Sequence, residues 1–201
     1  MSLLSDLTLQ AIFSRLFGVL FFCAVHGGLL TLFAQVLRRP DTPYKVSFSA
    51  NPFNHLSLPA VAMAVFFRTA WIRYQQIEPD TLKGGRWTLV GIVLASLILT
   101  LAFVPLLDLL RPFVANVLPR TAGYAVLQGI VATQQIIMAS VLLNLLPLPG
   151  LTGGMLLVAA FPHKGKQIQR AVVPVYAVLI IALVAGWWPD LGPVLASYLT
   201  R

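Results

Sequence analysis

His26, His55 and Cys23 carry nitrogen and sulfur donors that could ligate zinc, and an imidazole could also act as a general base or hold a haem or quinone. A catalytic zinc takes about three protein ligands and keeps one position open for water. The carboxylate that would activate that water is the missing part. No Asp or Glu lies between Asp108 and Asp190, a stretch that includes the other polar cluster of interest, Asn144 to Gly154, "NLLPLPGLTGG". That cluster sits at the end of a long apolar run, and its two prolines and three glycines stop a helix where it would otherwise continue.

The elements that must position these residues belong to a membrane. Of 201 residues, 58% are hydrophobic and 10% charged, with a mean hydropathy of +0.86, which excludes an ordinary soluble domain. Apolar runs long enough to cross a bilayer, which takes about 20 residues, occupy 11–37, 87–110, 123–146 and 172–188. A shorter run, 56–67, starts beside Pro59 and stops at Arg68, and reads as a re-entrant or interfacial segment. The expected fold class is an all-α integral membrane protein, a bundle of four spans plus that short segment, in a single domain covering 1–201. The only cysteine, Cys23, excludes an intrachain disulfide. The first span follows Asp6 without a lysine or arginine before it, so it is expected to stay as a signal anchor.

Basic residues fix the expected orientation. With 56–67 not crossing, the connection from Arg38 to Arg86 gathers Arg38, Arg39, Lys45, Arg68, Arg73, Lys83 and Arg86, and Lys164, Lys166 and Arg170 fall on the same side. The other side keeps Arg111, Arg120 and Arg201. The positive-inside rule then places both chain ends outside and the basic loops in the cytoplasm, as in a bacterial inner membrane. The net charge of +8 is expected to face acidic lipid headgroups; no nucleic-acid partner is implied.

Backbone that leaves the helix within hydrocarbon is tolerable only where it faces protein or a water-filled cavity, so the broken helix 144–161 marks a built site. Residues 144–153 resemble the N-x-x-P-x-P-x-L-D-G motif of the site-2 protease family of intramembrane zinc metalloproteases, with Asn144, Pro147, Pro149, Leu151 and Gly153 in matching places and Gly154 following. "NPFNHLSLP" resembles that family's N-P-x-x-H-x-D-P segment through Asn51, Pro52 and His55, with Ser57 in place of the aspartate. The family's H-E-x-x-H corresponds to "HGGLL": His26 keeps the first ligand, Gly27 stands where the general base would be, and Leu30 replaces the second histidine. In the alternative register, "FCAVH", Phe22 and Cys23 replace the first histidine and the glutamate. Thr152 takes the place of the third ligand, the aspartate. The resemblance implies a site-2 protease-like core from which the catalytic set is gone, hence no catalytic residue, no zinc and no other cofactor.

Each polar residue also has a structural reading. An intramembrane histidine such as His26 serves as an interhelical hydrogen-bonding residue. His55, placed on the cytoplasmic connection and outside the hydrocarbon, caps or bonds its own loop. Asn144 is expected to bond the carbonyl that Pro147 frees. Gln134 and Gln135 point about 100° apart on a helix, so at least one faces a neighbour. Asp108 and Arg111 read as an ion pair at a span end, and Trp187 and Trp188 as an interfacial belt. The function expected on this inventory is a catalytically inactive site-2 protease-like subunit, structural or accessory, whose partners are other integral membrane proteins of a larger complex, and lipids. An active metalloprotease with unusual ligands, or a cofactor- or lipid-binding subunit, is the alternative.

The topology is testable. In a chain with Cys23→Ser, a cysteine introduced at Gln76 is expected to react with a membrane-impermeant thiol reagent only from the cytoplasmic side; reaction from outside alone would refute the arrangement.

Overall fold

The computed structural model describes residues 7–42 and 47–187. Asp6, Lys45, Trp188, Asp190 and Arg201, on which parts of the sequence reading rest, lie outside them. Among the described residues every regular element is helical, save one isolated bridge between Arg38 and Leu82. Three helices are long and apolar enough to cross a membrane. They are α1 (Leu9–Val36), α4 (Arg86–Val117) and α5 (Arg120–Leu145). Between the first two lie the short α2 (Pro52–His55) and α3 (Leu58–Phe67), and after the third come α6 (Gly154–Ala160), α7 (Gly165–Arg170) and α8 (Val172–Val184). The segment 162–184 makes a fourth crossing only if its two parts, bent by 56°, count as one span.

Helix α1 starts at Thr8, whose Oγ1 accepts from the Ala11 amide at 3.1 Å, the usual service of a threonine N-cap. Halfway along, Cys23–Gly27 form a π-helical turn, one residue more than an α-helical turn holds. Helix α5 packs along α1 and begins at the same end. Gly18 makes the approach close: its Cα sits against the Thr133 backbone and the Ile136 side chain, and a Cβ there would press within 2.8 Å of Ile136 Cδ1.

Residues 47–82 leave the bundle and return at one end. Phe48 N–H donates to Gln35 Oε1 at 2.7 Å, and Arg39 N–H donates to the Thr81 carbonyl at 2.9 Å. In between, Asn51 Oδ1 caps α2 by accepting from Phe53 N–H, with Pro52 at the first helical position, where its missing donor is harmless. Helix α3 ends at Arg68 in the left-handed region, φ 55°, and Arg15 of α1 donates to the Val65 carbonyl at 2.5 Å. The chain comes back extended, Ala70 docking on α5: its N–H donates to Ser140 Oγ at 2.8 Å and its carbonyl accepts from Asn144 Nδ2 at 2.9 Å. The apolar short segment expected at 56–67 is thus a 10-residue helix in one arm of a hairpin, and it carries Arg68 to the first turns of α1 and α5, away from Arg38, Arg39 and Lys83 with which the sequence grouped it.

The second span runs longer than expected. Its sequence limit was Leu110, because Arg111 reads as loop; in the fold Arg111 stays helical since Asp108 pairs with its Nε at 2.8 Å and Gln134 Oε1 accepts from its Nη2 at 2.6 Å. Gln134 also donates to the Val104 carbonyl at 2.8 Å, beside Pro105, so it is the inward-facing member of the glutamine pair. The connection to α5 shrinks to Leu118 and Pro119. At the far end α8 stops at Val184, where Gly186 adopts φ 71° as a left-handed C-cap glycine, and Trp187 is exposed.

The close approach at Gly18 sets a prediction. Gly18→Leu is expected to cost ~1–3 kcal/mol and lower the melting temperature in detergent, as overpacking against backbone does. Gly91→Leu, where an added Cβ meets nothing within 4 Å, is expected to leave it unchanged.

Candidate functional site

The break after α5 brings the two polar clusters of the sequence together. Pro147 and Pro149 cannot donate to a continuing helix, and Gly150 takes φ 95°, a conformation strained for any side chain, against the ring of Tyr176, whose hydroxyl donates to the Gly150 carbonyl at 2.7 Å. The chain then turns back so tightly that Gly153 N–H donates to the Asn144 carbonyl at 2.7 Å. A Cβ on Gly153 would lie 2.7 Å from that carbonyl, and one on Gly154 would overlap the Leu148 carbonyl. The turn delivers Thr152 into the bundle interior, 2% exposed, beside His26 of the α1 π turn.

His26 is fully buried and both its nitrogens are engaged. Thr100 of α4 spends its hydroxyl proton on the Ser96 carbonyl at 2.6 Å. It can therefore only accept from His26, so Nδ1–H donates to Thr100 Oγ1 at 3.1 Å. Nε2 is then the acceptor, and Thr152 Oγ1–H donates to it at 2.8 Å. Phe22 stacks on the imidazole at 5.3 Å between centroids. Asn144 stands beside the pair: its Nδ2 donates to the Ala70 and Ser140 carbonyls, and its Oδ1 lies 3.4 Å from both the amide and the hydroxyl of Thr152. The carbonyl freed by Pro147 is not its partner, a correction to the sequence reading.

His55 bonds its own loop, as expected, but it is not at the surface. Charges and prolines placed it on an outer connection, yet it is 2% exposed, with its ring laid against Gly27 in space that a Cβ there would overlap. Its Nε2–H donates to the Ser49 carbonyl at 2.8 Å, which leaves Nδ1 to accept from Gln75 Nε2 at 3.4 Å. The hairpin, folding back into the bundle, carries it there. Leu30 is fully buried one turn beyond, and Cys23 is buried with it. Asn51 and Pro52 serve the start of α2, and the Asn51 N–H donates to Oγ of Ser49, the residue whose carbonyl His55 bonds, at 3.3 Å. Ser57 Oγ is buried with no hydrogen-bond partner.

Zinc does not fit these residues. The lone pair of His26 Nε2 is taken by a threonine hydroxyl, and among the described residues no three His, Cys, Asp or Glu side chains come together as a metal-binding group. A bis-imidazole cofactor site does not fit either: the two histidines are near each other, but their four nitrogens are spent on Thr100, Thr152, Ser49 and Gln75. The order Thr152 O–H, His26, Thr100 is also that of a hydroxyl nucleophile, its base and an orienting group. A carbonyl substrate has no room beside residues 2% and 0% exposed, and the Gly153 and Gly154 amides that could stabilise an oxyanion are committed to the Asn144 and Leu151 carbonyls. The arrangement joins α1, α4 and the turn after α5 by neutral hydrogen bonds.

Sequence reasoning missed Thr100, Ser96 and Ser140. Ser96 and Thr100 stand four residues apart in an otherwise apolar run, as do Ser140 and Asn144, and that spacing puts each pair on one helix face. Arg15, 6% exposed within α1, was missed as well. Compared with protein-family models, with curated proteins and with solved structures, the chain matches none.

Removing one end of the bond network should be costly. Thr152→Val, nearly isosteric, leaves His26 Nε2 buried without a donor and is expected to cost ~1–3 kcal/mol in thermal unfolding. Thr152→Ser keeps the hydroxyl and is expected to retain most of the stability. Equal stability of the two variants would show that the bond carries nothing.

Proposed function

We propose that this chain is a catalytically inactive member of the site-2 protease family, held in a bacterial inner membrane as a structural or assembly subunit of a larger membrane protein complex. The observation that carries the reading is the His26 to Thr152 bond. The two residues are 126 positions apart, and the motif resemblance assigns both to zinc-ligand places. Their side chains meet, and where the family has a metal between them a hydroxyl proton is shared instead. The second support is Gly27. At the place of the catalytic glutamate there is no side chain, and the His55 ring fills the space, so restoring a carboxylate would require the hairpin to move.

A chain whose reactive cluster is closed acts through its surfaces. Three apolar helices and a hairpin that returns to its own starting end offer other membrane proteins a broad apolar perimeter, with Phe13, Phe17, Ile98, Phe113, Val178 and Ile181 among the exposed large side chains. Purification in mild detergent is expected to bring down at least one other integral membrane protein in stable proportion, with far less than one zinc per chain. Thr152→Asp is expected to gain no proteolysis, because Gly27 and Leu30 still lack the base and the second histidine. About one zinc per chain, or cleavage of a membrane substrate by the Thr152→Asp protein, would overturn the proposal.

A further inference from the structure

Where α4 begins and α6 ends, a groove of about 240 Å³ lies between the two helices, lined by Arg86, Trp87, Val90, Leu156, Ala159 and Ala160. Val90 and Leu156 give it alkyl walls, and the two alanines keep it open. Arg86 is the one charged residue on it among the described residues. No hydrogen bond or ion pair holds that guanidinium among them; it lies over the Trp87 ring, 5.6 Å from the centroid. A ring contact of this kind engages the charge and spends none of the five N–H donors of the planar fork. At the same end of the bundle Glu78 and Asp80 line a separate cavity against α7, so neither carboxylate lines the groove. A second cation stands beside it: Lys164 lies over the ring of Phe161, the residue after Ala160.

Along α4 the groove runs on into an apolar stripe. Trp87, Gly91, Leu94 and Ile98, spaced four, three and four residues apart, share one helix face and are exposed. Gly91, where an added Cβ would meet nothing within 4 Å, leaves a dent in the stripe. An uncompensated cation and a tryptophan at a span end, above a channel of alkyl side chains, are complementary to an amphiphile with an anionic head. We propose that this groove binds an anionic phospholipid, its phosphate diester on the Arg86 fork with Lys164 beside it, and one acyl chain lying past Val90 and Leu156 and on along the stripe. The two cations favour a head of net negative charge, since they repel the choline of a zwitterionic one. The lipid would pack between α4 and α6 and brace the half-helix that follows the proline break. The inference rests on the chain being embedded in a membrane, as proposed above, and not on any kinship with proteases.

The test separates head, tail and general surface charge. Delipidated full-length protein is titrated in detergent with phosphatidylglycerol, with phosphatidylcholine and diacylglycerol of the same chains, and with glycerol phosphate, and binding is read by native mass spectrometry. Phosphatidylglycerol is expected to bind about tenfold tighter than diacylglycerol or glycerol phosphate, a factor that corresponds to ~1.4 kcal/mol, and tighter than phosphatidylcholine. Arg86→Gln is expected to bring phosphatidylglycerol down to the diacylglycerol level, Arg86→Lys to keep part of the gain, and Ala160→Leu to weaken the binding of both lipids by filling the groove. Arg120→Gln, at the other end of the bundle, is expected to change nothing. Equal binding of phosphatidylglycerol and diacylglycerol would overturn the phosphate site, and equal binding of phosphatidylglycerol and phosphatidylcholine the choice of an anionic head. An equal loss in Arg86→Gln and Arg120→Gln would replace the site by surface charge, and wild-type affinity in Ala160→Leu would remove the groove. Alkaline carbonate extraction of the membranes tests the reading beneath: a chain released without detergent would overturn both, whereas one that needs detergent and still fails the titration would overturn the lipid site alone.

Discussion

The interior depends on Asn144. A helix that stops among apolar neighbours exposes amides and carbonyls that no water can reach, and each needs a partner from the chain itself. Asn144 supplies several at once. Its side chain donates to Ala70 of the hairpin and to Ser140 of its own helix, its backbone carbonyl receives Gly153, and its side-chain oxygen faces Thr152. The hairpin, the end of α5 and the return loop therefore converge on one residue, and the position of Thr152 against His26 follows from that convergence.

Apolar length and helix breakers carry most of what was legible beforehand. Three of the four expected spans, the short apolar helix and the break at the prolines are found near their expected places because each is written locally, in runs and in Pro and Gly; the fourth, 172–188, is helical over Val172–Val184 and counts as a crossing only together with the bent segment before it. What stayed hidden depends on distant pairings. Arg111 looks like a loop residue until Asp108 and Gln134 are known to neutralise it inside a helix. His55 looks like a surface residue until Gly27 is seen to have no side chain where its ring must lie. The glycine was read as a lost glutamate, which says what is missing and not what replaces it. Thr100 left a trace in its spacing from Ser96, but a hydroxyl at i and i+4 of an apolar helix is common enough to pass as a backbone-bonded side chain, which in part it is.

The His26 cluster also illustrates how a buried polar site can become self-sufficient. A metal site needs ligands that stay short of partners until the ion arrives, and it pays in stability for that readiness. Here the imidazole has one donor and one acceptor, and a threonine meets each. Every proton has a single place to go, because Thr100 is oriented by Ser96. The result is neutral and satisfied.

The π turn at Cys23–Gly27 reaches beyond the residues that form it. An extra residue in a helix advances everything after it by about 100°. Leu9–Phe22 and Gly28–Val36 are thus two helical wheels joined out of phase, so a stripe drawn down the first does not continue down the second. The wide turn takes up that advance in space, since its five residues cover about the rotation of four in an α-helix, so a single-residue deletion within 23–27 would heal the helix and leave Leu30 and Thr31 close to the neighbours they now face. In this helix a residue can be gained or lost at the wide turn, whereas the same change anywhere else before Gly28 would re-aim the whole second half.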